Sequence, residues 1–547
     1  MNFPFRTLLG LCTAALLVAC GGGGGGGEGS AGTIPPPTGG ASTPTTGQSH
    51  LVSIKLVSAQ ADALAPGTSM EYVAWGTFSD RGERIISSTV TWKSSDADIA
   101  TVAFDGGQYG SVQALRVGVV QISATQDGVT VTADVNVMPI KLLEGGPGDI
   151  TSPDDAVSID AQGRVQASVA HYFSGSMFGT APALNLWGYD SASGWTAAAP
   201  ANVAGNNRPT NPVLAANPHG QVVRAWGGDL GIFAALYDPA SGWRSARNVS
   251  LGATGSSLRT SIDDSGNAML VWVDSTNGVS YVRYDLATDS WSTPQQVPGG
   301  DGGNSAGGVA FAATGAGDAV MVRERWLTTW VVSAARYSPG TGWEPPQVLR
   351  SGSVYTQPDV ALGSAGDIVV AGADQFNNVV YAARYVPGSG WTPAETLATT
   401  SSALGAKAAV NGAGQGVVVW GSNFDGSVTA RRLVGGNWEP GFTPMAISVV
   451  GGTPEVLKPF IADDGRMFVS WNAGSARVGV RRFNPSTGWG AEAALRMGFK
   501  GFVYDVAFAF NSSGTGAAIW AEGYDRYDTN GFSHRYYDFY VDNTISY

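Results

Sequence analysis

Two cysteines in 547 residues, at positions 12 and 20, exclude a disulfide framework, so stability has to come from a sizeable core. The four histidines, at 50, 171, 219 and 534, have no metal-ligand spacing. No His-Glu-x-x-His or Cys-x-x-Cys string occurs. Nothing in the sequence therefore points to a metal or a cofactor. Charge is scarce as well: Asp and Glu number 43 against 31 Lys and Arg, a net −12 with only 14% of residues charged. An acidic chain with no basic run lacks the footprint of a nucleic-acid or anionic-lipid binder. Beyond the N-terminal segment no run of 18 apolar residues exists, so nothing else in the sequence reads as a membrane-spanning helix.

What is abundant is glycine, 77 residues, with aromatics at 10%. That balance suits many short strands and tight turns. At the start, Arg6 precedes an apolar segment from Leu8 to Ala19, which has the layout of an export signal, residues 1–19. Leu17-Val18-Ala19-Cys20 resembles the lipobox of bacterial lipoproteins, which implies acylation of Cys20 and a membrane partner through that lipid. Gly21 in place of aspartate implies the outer membrane, at the cell surface or the periplasmic face. Residues 20–50 hold seven consecutive glycines and then Pro, Ser and Thr, and read as a flexible tether with a root-mean-square reach on the order of 30 Å.

Residues 51–138 alternate apolar and polar positions with turn residues between, the mark of half-buried strands in a sandwich. The order Trp92, Ser94, Ser95, Asp96, Ile99, Ala100, Val102 and Gly118 resembles the group 2 bacterial immunoglobulin-like domain. The resemblance implies that Trp92 packs between the sheets and that the Ser-Ser-Asp turn fixes a corner.

From 139 to 547 the chain repeats. Gly-Trp or similar turns place tryptophan at 195, 243, 291, 343, 391, 438 and 489, with spacings of 47 to 52 residues. A turn glycine recurs eight times, at 163, 220, 266, 317, 366, 414, 465 and 514. Four strands in about 48 residues is a propeller blade. The fold class expected is all-β, an Ig-like sandwich followed by a β-propeller, eight blades favoured over seven. The eighth unit lacks a Gly-Trp strand, and residues 140–146 are expected to supply it. The recurring tryptophans are expected to pack sheet on sheet, and the Arg-Tyr pairs at 283–284, 336–337 and 384–385 to be strand structure.

Catalytic signals are sparse. Ser305 in Gly-Asn-Ser-Ala-Gly lacks the strand-turn-helix context of a nucleophile elbow. The reading favoured is a non-enzymatic, outer-membrane-anchored binding or adhesion protein whose propeller face recognises a glycan or protein. The alternatives are a polysaccharide hydrolase or lyase and a periplasmic scaffold for envelope assembly. Binding candidates are the aromatic and basic residues in segments between the second and third strands that are long and unrepeated. They are His171, Tyr172, Phe173 and Phe178 in unit one; Arg323, Arg325, Trp326 and Trp330 in unit four; and Tyr524, Arg526, Tyr527 and Phe532 in unit eight.

Overall fold

The computed structural model describes residues 49–547 apart from 59–62, 105, 108, 144–156, 172–182, 192–193, 199–209, 301–308, 353–356, 375–376, 401–402, 423–425, 441–442, 447–456, 473–476, 497–501, 528–532 and 547. Among the described residues every regular element is a strand, and no helix is long and apolar enough to cross a membrane. Cys20, the tether and Ser305 lie outside the described residues.

Two sheets form the first module. One runs Leu51–Val57, Ser69–Phe78, Gly110–Ala114, Ala100–Phe104, and the other Ala63–Leu64, Val129–Val137, Gly118–Gln126, Thr91–Ser94. Their inner faces bury Met70, Tyr72, Val112, Val120, Ile122 and Val135. Trp92 packs against both apolar clusters of the sandwich and donates its indole N–H to the Ser87 carbonyl at 2.9 Å. A Cβ at Gly110 would come within 2.6 Å of that indole, so the ring needs glycine there. The Ser-Ser-Asp corner is pinned by side chains: Gln121 N–H donates to Ser95 Oγ at 2.9 Å and Asp98 N–H to Asp96 Oδ1 at 3.0 Å.

Eight meander sheets follow among the described residues. The first is Val157–Ile159, Val165–His171, Ala183–Asp190 and Gly194–Ala198, hydrogen-bonded in that order. Within each sheet, strands A to D are named in chain order, except that in the eighth Phe502–Phe510, Thr515–Tyr527 and Ser533–Ser546 are A to C and Ile140–Leu143 is D. Strand D is split in the second to seventh sheets, in the third, fourth and fifth around Pro294, Pro345-Pro346 and Pro393, which are tolerated because D is the edge strand. Every A–B turn carries its glycine at positive φ, between 70° and 92°.

The series closes on itself. In the eighth sheet Ile140–Leu143 pairs antiparallel with Ser533–Ser546, Ile140 opposite Val541 and Lys141 opposite Tyr540. On its other side the eighth sheet packs on the first, where Ala517, Ile519 and Phe539 bury against Val157, Val165 and Trp187. At the turns, buried Asn511 Nδ2 donates to the Asp160 carbonyl at 2.9 Å. Asn217 and Asn411 make the same bond to Asp263 and Ala462 of the next sheet, each at 2.9 Å. Meander sheets packed face to face in a closed ring are a β-propeller.

Candidate functional site

The B–C ends of the sheets were expected to be loops in units four and eight. They are extended β-hairpins. In the fourth sheet Ala319–Trp326 and Trp330–Ser338 pair up to Trp326 opposite Trp330, leaving only Leu327, Thr328 and Thr329 as the turn. In the eighth, Thr515–Tyr527 pairs with Ser533–Ser546 to Tyr527 opposite Ser533. Alternating bulky residues favour strands, so the insertions lengthen a hairpin instead of looping out.

At the tip of the fourth hairpin the Trp326 and Trp330 rings meet edge to face, 5.7 Å apart at 75°. Trp326 and Leu327 are each 47% exposed. Arg325 is half-buried on the strand below. Tyr524, Arg526 and Tyr527 occupy the eighth hairpin, and His171 ends strand B of the first sheet. The fourth-sheet tryptophans thus touch each other, while His171 and the tyrosines share the B–C ends of two adjoining sheets. Tyr172, Phe173, Phe178 and Phe532 lie outside the described residues.

Arg323 is a correction. It is 2% exposed, with its guanidinium donating to the Gly300 carbonyl at 3.2 Å and the Asn277 carbonyl at 3.0 Å in the preceding sheet. It stands six residues after its turn glycine, where Trp226, Trp272, Trp420, Trp471 and Trp520 are buried in other sheets. Arg323 fills that inward position and ties the fourth sheet to the third, so it is not offered to a ligand.

Six of the seven recurring tryptophans pack sheet on sheet, and Trp243 does not. Trp195, Trp291, Trp343, Trp391, Trp438 and Trp489 each join the apolar cluster shared with the preceding sheet, while Trp243 packs with Trp226 and Phe233. The Arg-Tyr pairs also bridge sheets: the Arg283 guanidinium lies 5.1 Å from the Tyr337 ring centre, and Arg336 lies 3.8 Å from Tyr385.

A concavity of about 210 Å³ opens between the first and second sheets on the A–B turn side, lined by Gln166, Gly188, Tyr189, Val222 and Tyr237. Asp160 and Arg164 flank its mouth, paired at 2.6 Å. Beyond Val222 on strand B stands Arg224, which the sequence reading passed over. The signal was there: the string Gly-Gln-Val-Val-Arg-Ala-Trp puts a cation where the parallel strings Gly-Asn-Ala-Met-Leu-Val-Trp and Gly-Gln-Gly-Val-Val-Val-Trp have leucine and valine.

Comparison with known proteins bears on the two modules unequally. Residues 52–137 match the bacterial Ig-like domain, group 2. No curated protein matches the chain significantly. Among solved structures, AofleA of Arthrobotrys oligospora is 10% identical, with 59% of this chain and 92% of that one covered at a TM-score of 0.32. The six-bladed Aleuria aurantia lectin is 17% identical over 57% of this chain and 100% of that one, TM-score 0.30. A polysaccharide lyase, ulvan lyase, is 12% identical over 75% and 96%, TM-score 0.42. No residue's role is carried over from these.

Proposed function

We propose that the chain is a non-enzymatic binding protein of the cell envelope whose propeller recognises a glycan through its B–C face. The observation that carries this is the Trp326–Trp330 pair. A hairpin longer than any but that of the eighth sheet among the described residues holds an indole nearly half exposed at its tip, beside exposed Leu327. The half-buried Gly-Trp rings recur because each sheet must pack on the next. Trp326 has no counterpart with that duty, and a flat exposed ring braced edge-on by a second ring suits stacking on the apolar face of a sugar.

Trp326→Ala should lower glycan-array binding at least about 10-fold, since aromatic anchors carry 2 kcal/mol or more. The unfolding free energy should stay within about 0.5 kcal/mol, as for other exposed sites. Array binding equal to that of the parent would overturn this reading.

The lipobox and the glycine tether support anchoring at the outer membrane through Cys20. Cys20→Ala should abolish palmitate labelling and move the protein out of the membrane pellet. A variant that stays in the pellet unlabelled would sink the anchor.

A further inference from the structure

Seven of the eight junctions between neighbouring sheets are filled by shared apolar clusters among the described residues. The junction of the first and second sheets is the exception. Four residues after each turn glycine, strand B points a side chain at the preceding sheet. That side chain is Leu270 in the third sheet, Met321 in the fourth, Val370 in the fifth and a small or branched apolar residue in the rest. In the second sheet it is Arg224.

Arg224 is 2% exposed, and its Nε and one terminal nitrogen have no hydrogen-bond partner. Trp226 and Trp243 hold it in place, their ring centres 4.8 and 4.9 Å from the guanidinium carbon. Burial alone pushes its pKa down to about 10, with no carboxylate opposing the shift. A buried charge without a counter-charge is among the costliest arrangements a fold can hold.

The facing sheet is polar in the same place. Val157, Ile159, Val165 and Ala167 of the first sheet pack on the eighth, so by strand alternation Ser158, Gln166 and Ser168 face the second. Ser158 and Ser168 are buried and their hydroxyls lack partners, as does the Trp226 indole N–H. Every one of these groups can donate a hydrogen bond. Among the described residues no carboxylate pairs with them, Asp160 and Asp190 lining the concavity instead. The concavity between the same two sheets supplies the approach, because Val222 and Tyr237 in its wall lie next along the strand face from Arg224 and Ala235. Asp160 at the mouth is occupied by Arg164 and by the amides of Gln162 and Arg164.

We propose that the junction of the first and second sheets is an anion site, in which Arg224, with the Ser158 and Ser168 hydroxyls, binds the oxygens of a carboxylate or sulfate group. A planar guanidinium stacked between indoles presents its N–H edge in a fixed fork, the arrangement that suits two oxygens of one oxyanion. The site is separate from the hairpin tip, and neither depends on the other.

The test is titration of the full chain, followed by calorimetry and tryptophan fluorescence. Sulfate and acetate serve as free ions, D-glucuronate and D-glucose 6-sulfate as sugar-borne ones, and D-glucose as the neutral control. At least one anion should bind saturably and the neutral sugar should not. Tighter binding of the sugar-borne pair assigns the group to an acidic saccharide, whereas equal binding assigns it to the free ion. Arg224→Leu, which restores the residue type of the third sheet, should weaken binding at least about 10-fold, the worth of a charged hydrogen bond. Ser168→Ala keeps the cation and should weaken binding about 5-fold, as loss of a neutral hydrogen bond does, so it decides the matter should the leucine variant not fold. Absence of saturable binding by all four anions, binding of glucose as tight as that of the anions, or affinities unchanged in both variants would overturn the site.

Discussion

Trp343 meets Tyr337 of its own sheet at 5.4 Å and Tyr281 of the preceding sheet at 5.7 Å, and sits in the cluster that joins the two. Trp326, only 17 positions away, has one ring neighbour and open solvent. The two residues are chemically identical, so their separation into a packing role and a proposed binding role rests on recurrence, which was legible in the sequence. Arg323 and Arg224 were less so. Each becomes legible once the repeats are aligned on the turn glycine, because each replaces a residue type that the other sheets keep apolar. Arg323 finds two carbonyls, Arg224 finds neither carbonyl nor carboxylate among the described residues, and only the packed junction distinguishes them. A cation in a repeat therefore carries information only through its partners, which a single sequence does not display.

The strand order of the repeats and the missing outer strand of the eighth sheet were readable from turn glycines and Gly-Trp turns alone. The hairpin extensions were not, since nothing in Arg-Glu-Arg-Trp-Leu-Thr-Thr-Trp marks where pairing stops. Closure rests on one short element. Ile140–Leu143 satisfies the outer edge of Ser533–Ser546, and Leu142 packs against the cluster joining the eighth and first sheets. Replacing residues 140–143 with four glycines keeps the chain length while removing the strand's side chains and weakening its pairing. We expect a loss of about 2–5 kcal/mol in urea unfolding, the range for a buried leucine with its neighbouring strand contacts. The bared edge should also promote aggregation. Unfolding at the parent's urea midpoint with the same slope would mean that the ring does not depend on this strand for closure.

At the scale of the molecule, the sandwich and the propeller meet through a relay. Val117 N–H, between two strands of the sandwich, donates to Thr544 Oγ1 of the last strand at 3.3 Å, and that hydroxyl donates to Asp542 Oδ1 at 2.6 Å. Asp542 is buried, and burial raises its pKa above the ordinary carboxylate value. The Thr544 hydrogen bonds and the charges of Arg116, from the sandwich, and Arg482, from the seventh sheet, pull it back only in part. A raised folded-state pKa means that the fold holds this proton at pH values where the unfolded chain has released it. Stability from this group is then greatest below the unfolded value of 3.8 and falls as pH rises through the folded value. Asp542→Asn keeps an oxygen at the Oδ1 position to accept from Thr544 and removes the charge. The variant should be more stable than the parent at pH 7 by roughly 1–4 kcal/mol, the range for relieving a buried ion, and the difference should vanish as pH falls toward 4. Urea unfolding of both proteins across pH 4–8 reads this directly. A variant less stable at pH 7 would show that the carboxylate is ionised and held by Arg116 and Arg482, which would make the joint an ion-paired clamp between the two modules.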